Sequence, residues 1–245
     1  IICDLSDPFS FSGNKNYSRL ITKRSIVSYE KNKLKFVDKV VVLNPSIKEI
    51  YKSLSPKNKI YVIEQGLGKQ IHIEIPINNQ DGIKLIYAGG LYKKFREAFE
   101  LYKSVAEYDG EIQLNIFGNI TEDLLSNEPY CKYKGILNSQ DLVEEYLKSD
   151  CIVFIDNENG VQVPGKVLEI QQFGIPILFI YSNKNSPSLD YLFNDNIVKV
   201  LNKKSEIIKG LSKLKKDSSF KAPSSKLADY YWSNLGKKYK ALLND

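Results

Sequence analysis

The stretch from Pro164 to Leu178 holds the residues whose types and spacing suit chemistry best. Lys166 and Glu169 stand three apart, so on a helix they share one face. The lysine offers a cation for a phosphate, and the glutamate a carboxylate able to accept from two sugar hydroxyls. That pairing suits a nucleotide sugar. Pro164 is suited to the first turn of a helix, and Gly174 with Pro176 ends the helix after Phe173. Before it come a polar loop and the apolar run Cys151–Ile155, which reads as a buried strand. The helix therefore starts where open α/β sheets bind ligands, beyond the carboxyl end of a parallel strand, and where backbone N–H groups attract anions. The competing reading is an exposed ion pair worth a few tenths of a kcal/mol.

A second corner of the same kind follows the run Leu85–Ala88. Gly89 and Gly90 allow close backbone approach, and Lys93, Lys94 and Arg96 follow at once. This is neither a GxGxxG fingerprint nor a P-loop, and a tight turn before a solvated basic helix explains it equally. Phe117-Gly118 and Lys134-Gly135-Ile136-Leu137 each close a strand with a glycine, as ordinary αβ punctuation also does. Asp4, Ser6, Asp7 and Pro8 form a turn, Glu30 reads as a solvated helix position, and His72 lies in a loop with no triad around it.

These groups need a scaffold, and 245 residues suffice for one large or two modest domains. Expected helices are Tyr17–Val37, Pro45–Leu54, Lys93–Tyr108, Ser139–Lys148, Gly165–Phe173, Pro187–Leu192, Ser205–Lys216 and Leu227–Leu243. Expected strands are Ile1–Asp4, Lys39–Leu43, Ile60–Ile63, Lys84–Ala88, Gln113–Phe117, Cys131–Tyr133, Cys151–Ile155, Pro176–Ile180 and Ile197–Val200. The alternation predicts parallel sheets covered on both faces. The Gly-, Pro- and Asn-bearing segment from Gln65 to Gly82 reads as a linker.

The composition narrows the partners. A net charge of +6 permits an anionic ligand or an anionic membrane surface and demands neither. No aromatic-interleaved basic module points to nucleic acid. Three scattered cysteines fit neither a disulfide framework nor a zinc site, and suit a reducing cytoplasm. No run has the length of a membrane span, and the first residues do not form a signal peptide. The chain opens on Ile1 and contains no Met, so we expect a trimmed start.

Taken in order, these segments resemble the GT-B glycosyltransferases, and within them the retaining group 1, family 4-like enzymes of bacterial surface-polysaccharide synthesis. The resemblance runs from the Asp4–Pro8 turn and Glu30 through Val37–Leu43, Val62–Gly66, Ile86–Tyr92, Asn115–Gly118, Tyr133–Leu137 and Ser149–Val153 to Pro164–Glu169 and Gly174–Leu178. It implies an α/β, GT-B-like fold. Residues 1–65 would be the last part of an N-terminal acceptor-side domain and 66–82 a linker. Residues 83–222 would be a Rossmann-type nucleotide-sugar domain, and 223–245 a helix crossing back to the first domain.

The implied activity is metal-independent, retaining transfer of a sugar from a nucleoside-diphosphate sugar to a polysaccharide or lipid-linked glycan. Its place would be the cytoplasm, at the inner face of the membrane, with no cofactor beyond the donor itself. The implied catalytic set is Arg96, Lys166 and Glu169, with Glu169 on the ribose and the two cations on the diphosphate. The implied donor-binding set is Gly89, Gly90, Lys93, Phe117, Gly118, Ile136, Leu137, Pro164, Gly165 and Val167. In the family's Glu-x7-Glu pattern the first glutamate would stand at position 161, where this chain has Val161. Two rivals share the architecture: a nucleotide-sugar 2-epimerase, and a nucleotide-sugar-binding fragment without catalysis.

Overall fold

Val40, Val41 and Val42 have no exposed surface, and they show how the first sheet is built. Successive strand residues point to opposite faces. Val40 and Val42 enter one apolar cluster with Leu34, Ile47 and Tyr51, whereas Val41 enters another with Ile63, Leu235 and Leu242. The computed structural model describes residues 1–5, 23–68, 82–158, 160–217 and 220–244. In it β1 (Ile2–Leu5), β2 (Lys39–Val42) and β3 (Lys59–Val62) form a parallel sheet in that order. One face is covered from α1 (Lys23–Leu34) and α2 (Pro45–Leu54), the other from α7 (Trp232–Asn244), at the far end of the chain. α2 starts cleanly: Pro45 takes its first position, and the capping Asn44 side chain accepts from the Ile47 amide at 2.9 Å.

The second sheet has six parallel strands: β4 (Ile83–Ala88), β5 (Ile112–Phe117), β6 (Cys131–Tyr133), β7 (Cys151–Ile155), β8 (Ile177–Tyr181) and β9 (Ile197–Leu201). Their spatial order is β6-β5-β4-β7-β8-β9. The winding reverses between β4 and β7, the doubly wound arrangement whose reversal opens a crevice at the carboxyl ends of those two strands. Both faces are buried. Leu85, Tyr87, Val153 and Ile155 pack with α3 (Phe99–Ala106) and α6 (Lys204–Asp217). Ile86, Ile152, Phe154 and Phe179 pack with Tyr146 of α4 (Ser139–Leu147) and with Val167 and Leu168 of α5 (Lys166–Glu169). α5 continues as a 3-10 helix over Ile170–Phe173 and ends at Gly174 (φ 64°), where a Cβ would meet the Lys221 carbonyl oxygen at 2.3 Å.

The expected element types hold for most of the chain, with three corrections. The helix expected from Lys93 begins only at Phe99. Tyr92 and Arg96 instead exchange backbone hydrogen bonds of 2.8 and 2.9 Å around Lys94 (φ 59°), and the Glu158 amide binds the Phe95 carbonyl at 2.8 Å. The local turn bonds, with the one tertiary bond from Glu158, outweigh the helical preference of a short polar run. Pro187–Tyr191 is a 3-10 helix. The last helix is split: a 3-10 helix over Ser225–Tyr230 stops where Leu67 bonds to the backbone of both Tyr230 (2.7 Å) and Trp232 (3.1 Å). The Ser6–Pro8 turn, the start of the helix expected from Tyr17, His72 and most of the expected linker lie outside the described residues.

Candidate functional site

At the carboxyl end of β4 the chain turns through Gly89 and Gly90. The Gly89 amide bonds to the Phe117 carbonyl at 2.9 Å, and the Tyr87 hydroxyl donates to the Gly90 carbonyl at 3.0 Å. Burial pushes the Tyr87 phenol up to about 12, so it stays a neutral donor. Gly118, at the end of β5, has φ 132°, and a Cβ there would lie 2.1 Å from the Gly89 carbonyl oxygen. The two glycine backbones are therefore stacked.

The Arg96 guanidinium reaches from the next turn to the end of β7, where an Nη donates to the Asn157 side-chain oxygen at 2.5 Å. Its Nε is buried and has no hydrogen-bond partner among the described residues. Asp156 and Asn157, directly after β7, are both buried. The Asp156 carboxylate accepts from the hydroxyls of Ser186 and Ser188, the latter at 2.8 Å. Burial raises its pKa, against the two serine hydrogen bonds, the Asn157 amide and the charge of Arg96.

From the other side of the crevice Lys166, half-buried at the start of α5, places its ammonium 3.2 Å from the Ala88 carbonyl, beside Gly89. Burial lowers its pKa most. The carboxylate of Glu169 acts in the opposite direction, and the positive charge of Arg96 adds to the lowering. Gly89, Gly90, Arg96 and Lys166 are thus brought together at the reversal point of the sheet, two cations at a side-chain-free turn, with the Glu169 carboxylate near enough for Lys166 to feel its charge. Such a corner can hold a phosphate and, next to it, a hydroxyl-bearing group.

The other expected residues are placed as follows. Phe117 is buried and serves through its carbonyl, and Gly118 supports Gly89 from below. Ile136, exposed, and Leu137, packed on the core, follow the end of β6 along the same sheet edge. Pro164 and Gly165 line a narrow cleft with Leu43, Glu64, Gln65 and Tyr191, between the two sheets. Two residues are not brought to the corner. Lys93 forms an exposed ion pair with Asp123. The Val167 side chain is fully buried in the core, and its amide is closed onto the Pro164 carbonyl at 3.0 Å. Val161 packs on the core of the first sheet, and its carbonyl accepts from the Asn44 side chain at 2.8 Å. Sequence reasoning missed Asp156 and Asn157. Their signal was present, since a polar pair directly after a wholly apolar strand marks that strand's carboxyl end.

A separate concavity, about 770 Å³, lies elsewhere. It sits at the amino ends of β2 and β3, lined by Lys31, Lys35, Lys39, Lys57 and Lys59. Among the described residues no cluster of three or more His, Cys, Asp or Glu could hold a metal ion, and no helix is long and apolar enough to cross a membrane.

No family model and no curated protein sequence matches the chain. Solved structures do. Sucrose-phosphate synthase from Thermosynechococcus elongatus aligns with TM-score 0.72 and 13% identity, over 99% of this chain and 68% of its own. Anabaena HepE, in complex with UDP and glucose, aligns with TM-score 0.71 and 10% identity, over 100% and 71%. The pneumococcal O-GlcNAc transferase GtfA, in complex with UDP and GlcNAc, aligns with TM-score 0.65 and 17% identity, over 96% of this chain and half of its own. These neighbours are GT-B glycosyltransferases, and this chain has their fold.

Proposed function

We propose that this chain binds a nucleoside-diphosphate sugar at the β4–β7 reversal and forms the donor side of a glycosyltransferase whose acceptor is a polysaccharide or lipid-linked glycan. One observation carries the reading: Lys166 and Arg96 converge on the Gly89 turn from opposite sides of the crevice, with Glu169 three residues beyond Lys166 on the same helix. As the glycosidic bond breaks, charge builds on the leaving diphosphate. Two preplaced cations stabilise that charge without reorganising, and so take over the part a metal plays in other transferases. Glu169 accepts from the ribose hydroxyls. Retention of configuration in this reading rests on the resemblance alone. Bound UDP with a sugar in two of the structural neighbours supports the ligand class.

The test is a thermal-shift and titration series with UDP, GDP, dTDP and ADP sugars, because a ligand that binds only the folded state raises its stability. Losing a charge-assisted hydrogen bond costs about 1.5–3 kcal/mol, so Lys166→Ala and Glu169→Ala should each weaken the best donor roughly 10- to 100-fold. Unchanged affinity in both variants refutes the assignment. We also assign an anionic membrane surface as a partner, on the charge of the lysine-lined concavity. Flotation should occur with vesicles rich in anionic lipid and not with neutral ones. A double variant, Lys35→Glu with Lys57→Glu, that floats as well as the unaltered chain refutes it.

A further inference from the structure

Arg96 crosses the reversal point of the sheet to reach Asn157, and the chemistry of that contact is specific. The acceptor is a neutral amide oxygen, 2.5 Å from a guanidinium nitrogen. Asn157 is itself buried and held by its neighbours: the Asp156 amide bonds to the Ile180 carbonyl at 2.9 Å, and the Glu158 amide to the Phe95 carbonyl at 2.8 Å. The second bond ties the strand end to the turn that carries Arg96. Another guanidinium nitrogen lies 3.9 Å from where a Cβ on Gly89 would stand, so the group hangs over the glycine turn. The buried Nε has no partner among the described residues. A buried donor without an acceptor is costly, and a ligand oxygen there would complete it.

The charges around Arg96 complete the picture. Tyr87 faces it as a neutral phenol, and Lys166 faces it with the same sign of charge. The nearby carboxylate, Asp156, is occupied by the hydroxyls of Ser186 and Ser188. A carboxylate at position 157 would hold the guanidinium equally well, but as an ion pair that cancels its charge. We propose that Asn157 is a positioning residue that orients Arg96 toward the diphosphate while adding no negative charge beside it. This deepens the donor-binding reading above and rests on it.

The test compares Asn157→Asp, Asn157→Ala and Arg96→Ala with the unaltered protein, in titrations with UDP and with uridine, alongside thermal unfolding. If another of the four nucleoside diphosphates binds more tightly, it and its nucleoside replace that pair. Asn157→Asp keeps the shape and the hydrogen bond, and adds one negative charge within a few ångströms of the bound diphosphate. At an effective dielectric of about 20 that repulsion weakens UDP at least tenfold. Uridine should weaken less than twofold, and the melting temperature should hold or rise as the new ion pair forms. Asn157→Ala removes the orienting acceptor and adds no charge, so UDP should weaken about threefold.

The expected order of UDP affinity is unaltered, then Ala, then Asp. Structural damage would instead lower stability and affinity together. An Asp variant that binds UDP as tightly as the Ala variant overturns the inference, as does an equal loss for uridine. If the Asp variant does not fold, an Ala variant with unchanged UDP affinity overturns it alone. Loss in Arg96→Ala without loss in either Asn157 variant leaves the donor site standing and removes only the inference. No loss in Arg96→Ala removes both.

Discussion

Gly118→Ala probes the candidate site without touching any of its charged groups. A Cβ at Gly118 would lie 2.1 Å from the Gly89 carbonyl oxygen, 2.8 Å from its carbon and 3.2 Å from its nitrogen. Ordinary contact starts near 3.4 Å, so Gly89 would have to retreat by about 1.3 Å, and no side chain can swing away in its place. The same substitution forces an L side chain to φ 132°. Backbone strain of this kind costs about 1–3 kcal/mol, and overpacking a further 1–3 kcal/mol. For a protein of this length each kcal/mol lowers the melting temperature by about 2–4 °C, which gives a drop of roughly 5–20 °C. Gly135→Ala is the control. Its φ is 83°, but nothing lies within 4 Å of the added Cβ, so it bears the strain without the clash. Scanning calorimetry on both variants, followed by UDP titration at 15 °C, separates the two terms. Gly118→Ala should melt well below Gly135→Ala and bind UDP at least tenfold more weakly, because the displaced turn is the one under the phosphates. A Gly118→Ala protein as stable as Gly135→Ala, with unaltered UDP binding, refutes the stacking argument.

Two further outcomes follow from the geometry. Asn44 caps α2 and donates to the Val161 carbonyl, so Asn44→Ala removes a cap and strands a half-buried acceptor. Urea unfolding should show a loss of about 1–3 kcal/mol, partly restored in Asn44→Ser, whose hydroxyl can still cap; a loss below ~0.5 kcal/mol would refute the tie between the two sheets. Lys166 binds a diphosphate only when protonated, and burial holds its pKa below the ordinary lysine value of 10.5. Nucleoside-diphosphate affinity should therefore begin to fall below pH 10.5 as pH rises, and Lys166→Ala should lose that dependence. In that window the unfolded chain binds more protons at this site than the folded one, so Lys166 makes the unliganded protein more stable as pH rises. Isothermal titration and denaturant melts across the range measure both; a flat binding profile in the unaltered protein would count against Lys166 as a phosphate ligand.

How much of this was legible in the chain depends on the range of the forces involved. Local patterning decided the element types: β-branched and apolar runs such as Lys39–Val42 and Cys151–Ile155 became strands, and Asn44 with Pro45 started a helix where a cap and a preset φ act within one turn. The pairing of Lys166 with Glu169 was also legible, since a helix face is set by spacing alone. The turn at Tyr92–Arg96 was not legible, because it is held by Glu158, some sixty residues on. Nor was the course of Lys93, whose partner Asp123 comes from another part of the chain. The same holds for Asn157. Its residue type was visible, but only the pairing of β4 with β7 sets it opposite Arg96. Strand order is settled by long-range packing, which the local run of residues does not encode position by position. It turns a list of plausible cations into two that face one turn, and leaves a third on the surface.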